Sequence, residues 1–138
     1  MTEIPELSLY TDGASRGNPG EGGAGVVLVD HNGREVTTLS RYLGLVTNNA
    51  AEYHALLLGL KEAQSLHTRR LKVFMDSELV VKQLKGEYKI KNSNLLPLYD
   101  LAQEAISYFE SVEFFHIPRE KNYRADTLAN RAIDEHTG

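Results

Sequence analysis

The spacing of apolar and polar positions changes partway along the chain. Residues 6–12, ELSLYTD, alternate apolar with polar and are rich in strand formers, which predicts a half-buried strand. The glycine-dense segment SRGNPGEGG at 15–23 reads as a turn. Residues 24–43 then predict a hairpin: an apolar run, His31-Asn32-Gly33 as its turn, and a second strand. Three strands joined by short turns make an antiparallel meander. At Thr47-Asn48-Asn49 the period becomes helical. Either Asn48 or Thr47 can cap a helix over about 50–64, a stretch strong in Ala, Leu, Glu and Lys. A strand at 70–76 follows, then a short helix at 77–86 with Gly86 as its stop. A longer helix at 95–109 carries Pro97 in its first turn, and a strand at 111–117 leads to a closing amphipathic helix at 122–136. The order βββαβααβα puts antiparallel strands first and parallel crossovers second. That predicts an α/β fold with a mixed sheet covered by helices.

With 138 residues, the chain has the size of one domain and no linker or repeat divides it, so a single domain over 1–138 is expected. It is 41% apolar and 25% charged, enough for one real core. The absence of cysteine removes thiolate metal sites, thiol nucleophiles and disulfides together. The opening MTEIPELSLY carries Glu3 and Glu6 and no apolar run, and no stretch is long enough for a membrane span. A cytoplasmic monomer without membrane contact is the resulting expectation. Fifteen basic against nineteen acidic residues give a net charge of -4, which disfavours nonspecific whole-surface attraction to nucleic acid and leaves room for a local basic patch.

Four acids stand where a core is expected. Asp12 and Asp76 each end an apolar strand, and open α/β sheets place their sites at the carboxyl ends of strands. If these strands are parallel neighbours, both carboxylates emerge side by side. Glu52 shares the helical stripe of Leu56 and Leu60, and Asp126 that of Ala129 and Ile133. Taken singly, each acid is an ordinary turn, cap or surface residue. Taken together, half-buried acids on elements that pack against each other repel and lose hydration, each loss costing on the order of 1 kcal/mol or more without a counter-charge. No Lys or Arg stands out in the sequence as that counter-charge. An oxygen-only donor set points to Mg²⁺ or Mn²⁺.

The segments YTDGASRGNPGEGGAG (10–25), TNNAAEYHALLLGL (47–60), MDSELVVKQLKGEYKIK (75–91) and HIPREKNYRADTLAN (116–130) resemble the four successive motifs of type 1 ribonuclease H, in the same order and over nearly the whole chain. The resemblance implies the ribonuclease H-like fold, a five-stranded mixed sheet (three antiparallel strands, then parallel ones) flanked by helices. It also implies an endonuclease that hydrolyses the RNA strand of RNA–DNA hybrids to 5′-phosphate products. Asp12, Glu52, Asp76 and Asp126 match the catalytic set: Asp12 bridging two Mg²⁺ ions bound with substrate, Asp126 on the nucleophile side, Glu52 and Asp76 on the leaving-group side. Mn²⁺ is the expected substitute. Such a pair of ions clamps the attacking and leaving oxygens of an in-line displacement.

By the same resemblance, Gly13, Ser15 and Asn18 belong to a loop whose backbone meets the strand, Asn48 and Glu78 to positions reading the minor groove, and Ser77 to the substrate contacts. Thr47 and Asn92 match a pocket for a DNA-strand phosphate. The arginine usual two residues before that threonine is Leu45 here, and Glu78 replaces a frequent glutamine. Lys82, Lys85, Lys89 and Lys91 cluster around Tyr88, a basic patch with an aromatic suited to the backbone and sugars. Lys82 and Lys85, one turn apart, are expected to share a face. Read alone, the cluster is also an ordinary solvated helix surface. Only residues 92–94 separate Lys91 from the next helix, so the extra basic helix-loop of several relatives is absent, which predicts weaker and more salt-sensitive binding. A fifth catalytic position precedes the last acid. Arg119 is favoured there, with Glu120 and His116 as rivals. Two competing functions remain, a non-catalytic hybrid-binding module and a two-metal nuclease for DNA. The intact acids disfavour the first, and the GNPG loop and TNN motif disfavour the second.

Overall fold

The segment that composition marks as a turn is mostly strand. In the computed structural model, which describes residues 4–137, β1 (Glu6–Gly17) and β2 (Gly20–Val29) pair antiparallel from Ser8↔Val29 to Gly17↔Gly20. Only Asn18 and Pro19 reverse the chain, so the turn expected over 15–23 shrinks to two residues. The reason is packing. A Cβ on Gly23 would overlap the carbonyl oxygen of Ala129, and one on Gly25 that of Ala125. These glycines let a helix lie directly on the strand backbone, a use that local composition does not separate from a bend.

β3 (Glu35–Val46) completes the meander against β2. The turn between them is held by Asp30, whose Oδ1 accepts from the backbone N–H groups of Asn32 at 2.9 Å and Arg34 at 3.0 Å. α1 (Asn48–Ser65) begins slightly earlier than its composition suggests, because Thr47 is the cap: its Oγ1 accepts from Ala50 N–H at 3.2 Å. β4 (Arg70–Met75) leads to α2 (Glu78–Leu84), which Ser77 caps and which ends just before Gly86 at φ +78°. α3 (Leu96–Ile106) is shorter than the 95–109 expected. β5 (Ser111–His116) is followed by a 3₁₀ turn over Arg119–Asn122, which the periodicity did not anticipate, and by α4 (Tyr123–Thr137). The expected domain limits, and Glu3, reach outside the described residues.

The sheet order is β3-β2-β1-β4-β5, with β1 parallel to β4 and β4 parallel to β5. This is the five-stranded mixed sheet that the element order implies. On one face Leu7, Leu9, Val26 and Leu28 of the strands bury against Tyr53, Leu56 and Leu60 of α1. Each such side chain contributes roughly 1.5–3 kcal/mol on leaving water. The Tyr53 hydroxyl, inside this core, donates to Gln83 Oε1 at 2.8 Å. On the other face α4 sets Ala125 and Leu128 against Val27. Among the described residues, no helix is long and apolar enough to cross a membrane.

The register fixes the next level. Tyr10 pairs with Phe74 across the parallel β1–β4 junction. Two residues further on stand Asp76, just past the end of β4, and Asp12, which does not end its strand as expected but lies within β1 where its pairing with β4 has stopped and its pairing with β2 continues.

Candidate active site

Three elements deliver three carboxylates to one point. Asp12 comes from β1, Asp76 from the bend after β4 and Glu52 from the first turns of α1, and one oxygen of each lies within 4.8 Å of the others. Asp126, from the first turn of α4, lines the same cleft of about 350 Å³. All four acids singled out in the sequence therefore meet, three tightly and Asp126 at the margin. Asp12 and Glu52 are each 6% exposed. Burial, then the charge of Glu52, a hydrogen bond with Asp126 and the charge of Asp76, push the Asp12 carboxyl up to about 10. Burial likewise pushes Glu52 up to about 7, partly offset by the Gly13 N–H. Without a counter-charge the cleft holds protons. A hard divalent cation fits this all-oxygen donor set, and Asp12, Glu52 and Asp76 are the residues able to hold it.

The surroundings hold these acids in place. Gly13 N–H donates to Glu52 Oε1. A Cβ at Gly13 would overlap the Ala51 backbone, so only glycine lets α1 come this close. The N–H expected to face a substrate is thus spent on an acid. Asn130, one turn after Asp126, donates from Nδ2 to the Asp126 backbone oxygen at 3.0 Å and its Oδ1 at 3.2 Å. Arg16 reaches from the β1–β2 hairpin to Asp134 at 2.7 Å and to Asn130 Oδ1 at 3.3 Å, tying the hairpin to α4. Asn18 Oδ1 accepts from Asn48 N–H at 3.0 Å, tying the same hairpin to α1. Asn122, buried, donates from Nδ2 to Asp76 Oδ2 at 3.0 Å. Sequence reasoning missed Asn122, Asn130 and Arg16. The usable signal was helical spacing, since Asn122 and Asn130 stand four residues before and after Asp126.

The counter-charge not evident in the sequence is Arg119, the one basic side chain among the described residues lining the cleft; its guanidinium lies 3.7 Å from Asp126 Oδ1. Of its two rivals, His116 faces Glu78, with Nδ1 3.9 Å from Oε2, and Glu120 does not line the cleft. Ser15, Asn48 and Ser77 line it, as does Asn49, which sequence reasoning did not single out. The Ser15 hydroxyl is turned inward, 2.8 Å from the Val46 carbonyl oxygen and bonded also to that of Gly17. Ser77 and Thr47 serve as helix caps.

Asn49 also borders a second groove, lined with Leu79, Gln83, Tyr88, Lys89, Lys91 and Asn92. The basic cluster is divided, not shared on one face. Lys82 lies 3.0 Å from Glu78 Oε1 and 4.9 Å above the centre of the Tyr88 ring, while Lys85 sits in a separate depression with Gln103 and Phe115. The pairing lowers the Glu78 carboxyl and raises the Lys82 ammonium. Lys82 lies inside α2 and pairs with Glu78 one turn earlier, whereas Lys85 is the C-cap residue beyond the helix end.

A family model described as reverse transcriptase-like matches residues 10–132. The bifunctional protein Rv2228c of Mycobacterium tuberculosis is 44% identical over 131 residues, which cover 94% of this chain and 36% of that protein. The chain thus spans 36% of the length of the first curated relatives it matches. The crystal structure of ribonuclease H1 from the halophilic archaeon Halobacterium salinarum matches with a TM-score of 0.92 and 39% identity, covering 94% of this chain and 98% of that one. That of LC11-RNase H1, a compost enzyme isolated by a metagenomic approach, in complex with an RNA/DNA hybrid, matches with a TM-score of 0.92 and 41% identity, covering 96% and 99%.

Proposed function

Because the chain belongs to the ribonuclease H family, we propose that it is a divalent-metal-dependent endonuclease that hydrolyses the RNA strand of RNA–DNA hybrids. The observation that carries this reading is the convergence of Asp12, Glu52 and Asp76, two of them buried, on a shared point with Asp126 and Arg119 at its rim. A cleft of this kind is unsuited to holding a phosphate by itself, since its acids repel the ligand. The hybrid bound by LC11-RNase H1, which shares the fold at 41% identity, supports the substrate.

Divalent cations, when bound, supply the missing positive charge, make water easier to deprotonate and offset the charge that builds on the departing oxygen. The reaction puts the oxygen of water on phosphorus and breaks the bond to the 3′ oxygen, leaving a 5′-phosphate and a 3′-hydroxyl. Asp12 interacts with each of the other three acids, so it would be the ligand common to both Mg²⁺ ions if two bind. Asp126 then serves the nucleophile side, and Glu52 and Asp76 the leaving-group side. Mn²⁺ is the expected substitute. Arg119 orders the phosphate and steadies the departing group; a guanidinium stays charged and is a poor proton carrier.

The groove beyond Asn49 receives the DNA strand, with Lys89 and Lys91 against phosphates and Tyr88 against sugar or base, while Asn48 and Glu78 face the minor groove. Thr47 and Asn92 contribute to gripping one phosphate. Leu45, 78% exposed, brings no charge there. The connection between α2 and α3 contains no helix of its own, so binding depends on few lysines and is weak, with too little reserve to survive high salt. The reading extends to one ribonuclease H domain over 1–138, acting as a monomer in the cytoplasm, a reducing compartment compatible with a cysteine-free chain.

The test uses a labelled RNA–DNA hybrid, matched double-stranded RNA and double-stranded DNA, each with Mg²⁺, Mn²⁺ or chelator. Cleavage confined to the RNA of the hybrid, requiring metal and lost in Asp12→Asn, is the expected result. Metal-independent binding without cleavage would reject catalysis.

A further inference from the structure

Asn122 closes the 3₁₀ turn ahead of α4 and is 1% exposed. Its Nδ2 donates to acceptors on two different segments: the Thr11 carbonyl oxygen of β1 at 2.8 Å and Asp76 Oδ2, beyond β4, at 3.0 Å. Its Oδ1 is buried and has no partner among the described residues. A side chain serving packing alone would be apolar here, because a buried amide with an orphaned acceptor is costlier than a hydrocarbon of the same size.

The amide acts on Asp76. That residue is half-buried, lies on a bend outside the sheet, and has Asp12 and Glu52 within reach of its carboxylate. Like-charge repulsion favours swinging the carboxylate out to water. An N–H fixed on Oδ2 opposes the swing. The same amide grips the carbonyl of Thr11, the residue before Asp12, so one side chain sets the spacing between the two acid-bearing segments. Amides that orient ligating carboxylates in this way govern how well a site is formed before its ion arrives.

We propose that Asn122 is a positioning residue for cation capture, holding Asp76 inside the cleft before any ion binds. The proposal rests on the reading of the acids as a divalent-cation site.

Calorimetric titration of the full chain with Mn²⁺, without nucleic acid, tests it on wild type, Asn122→Ala and the near-isosteric Asn122→Asp, which cannot donate when ionised. Mn²⁺ affinity is expected to fall about 10–100-fold in both variants. The metal concentration for half-maximal hybrid cleavage should rise by a similar factor, while KM for hybrid at saturating Mn²⁺ changes by less than about twofold. A packing role predicts instead a lower Tm with the Mn²⁺ affinity of the folded protein unchanged. Affinity within about twofold of wild type in either folded variant overturns the proposal. Should both variants fail to fold, the side-chain amide resonance of Asn122 in the wild type decides: it shifts as Mg²⁺ is added if the amide holds a ligand, and an unmoved resonance overturns the proposal. No Mn²⁺ uptake by the wild type would remove the cation-site reading itself and this inference with it.

Discussion

Asp12→Asn separates the electrostatics of the cleft from its chemistry. Asp12 is 6% exposed, and its carboxyl is pushed by burial, then by Glu52, from 3.8 up to about 10. Below about pH 4 the group is protonated in both folded and unfolded chains and subtracts nothing from stability. As pH rises, the unfolded chain releases the proton while the metal-free folded protein keeps it. Stability then falls by up to about 1.4 kcal/mol per pH unit until the folded group itself titrates. From about pH 5 to about pH 8 the ceiling on this loss is roughly 4 kcal/mol. Asparagine keeps the shape and has no such proton to lose. In EDTA, Asp12→Asn is therefore expected to exceed the parent by on the order of 2–4 kcal/mol at about pH 8, some 5–15 °C in Tm for a chain of this length, with the gap closing towards about pH 5. Added Mg²⁺ should narrow the gap from the other side, because an ion bound only by the folded parent stabilises it by mass action. Thermal melts across a pH series, with EDTA and with Mg²⁺, measure all of this. A variant less stable than the parent in EDTA, or a gap that does not widen with pH, would refute the account of three crowded acids waiting for a cation.

Other sites give equally direct tests. In Gly25→Ala the new Cβ would overlap the Ala125 carbonyl oxygen and stand 2.8 Å from Ala129 N, so α4 must lift from β2. A loss of roughly 2–4 kcal/mol by urea unfolding is expected, with kcat reduced because Asp126 moves with the helix; a loss under about 0.5 kcal/mol would contradict that contact. Arg119→Ala should lower kcat by about tenfold or more, whereas His116→Ala and Glu120→Ala leave it within about twofold; an unchanged kcat for Arg119→Ala rejects its assignment. Hybrid affinity measured in EDTA at several salt concentrations should be weak, with a slope of log affinity against log salt of only about 2–4, and nanomolar affinity or a slope of about 8 or more would contradict binding through a few lysines.

Periodicity carries the element order because it reflects which face of each segment is buried, a property each segment states in its own residues. That is why the 6–12 strand and the Ala- and Leu-rich helix were legible, with the limits of both shifted by a few residues. The acids were legible for the complementary reason. Asp12 and Asp76 each follow an apolar strand-forming run and Glu52 interrupts an apolar stripe, so each is an anomaly visible without its partners. Gly23 was misread as part of a turn because a glycine that admits α4 looks, locally, like a glycine that bends the chain.

Residue type and spacing alone thus determined the layers of this protein, the direction of its strands and which carboxylates are out of place. The tertiary structure decided what each of those groups touches. Arg119 reaches Asp126, and Asn122 bridges Thr11 to Asp76. Both depend on the path of the 117–122 crossing, and the Asn122 bridge, which also depends on the β1–β4 register, joins residues far apart in the chain. Hydrophobic burial is specified position by position, whereas the partner of a polar group is specified only once the chain has closed around it.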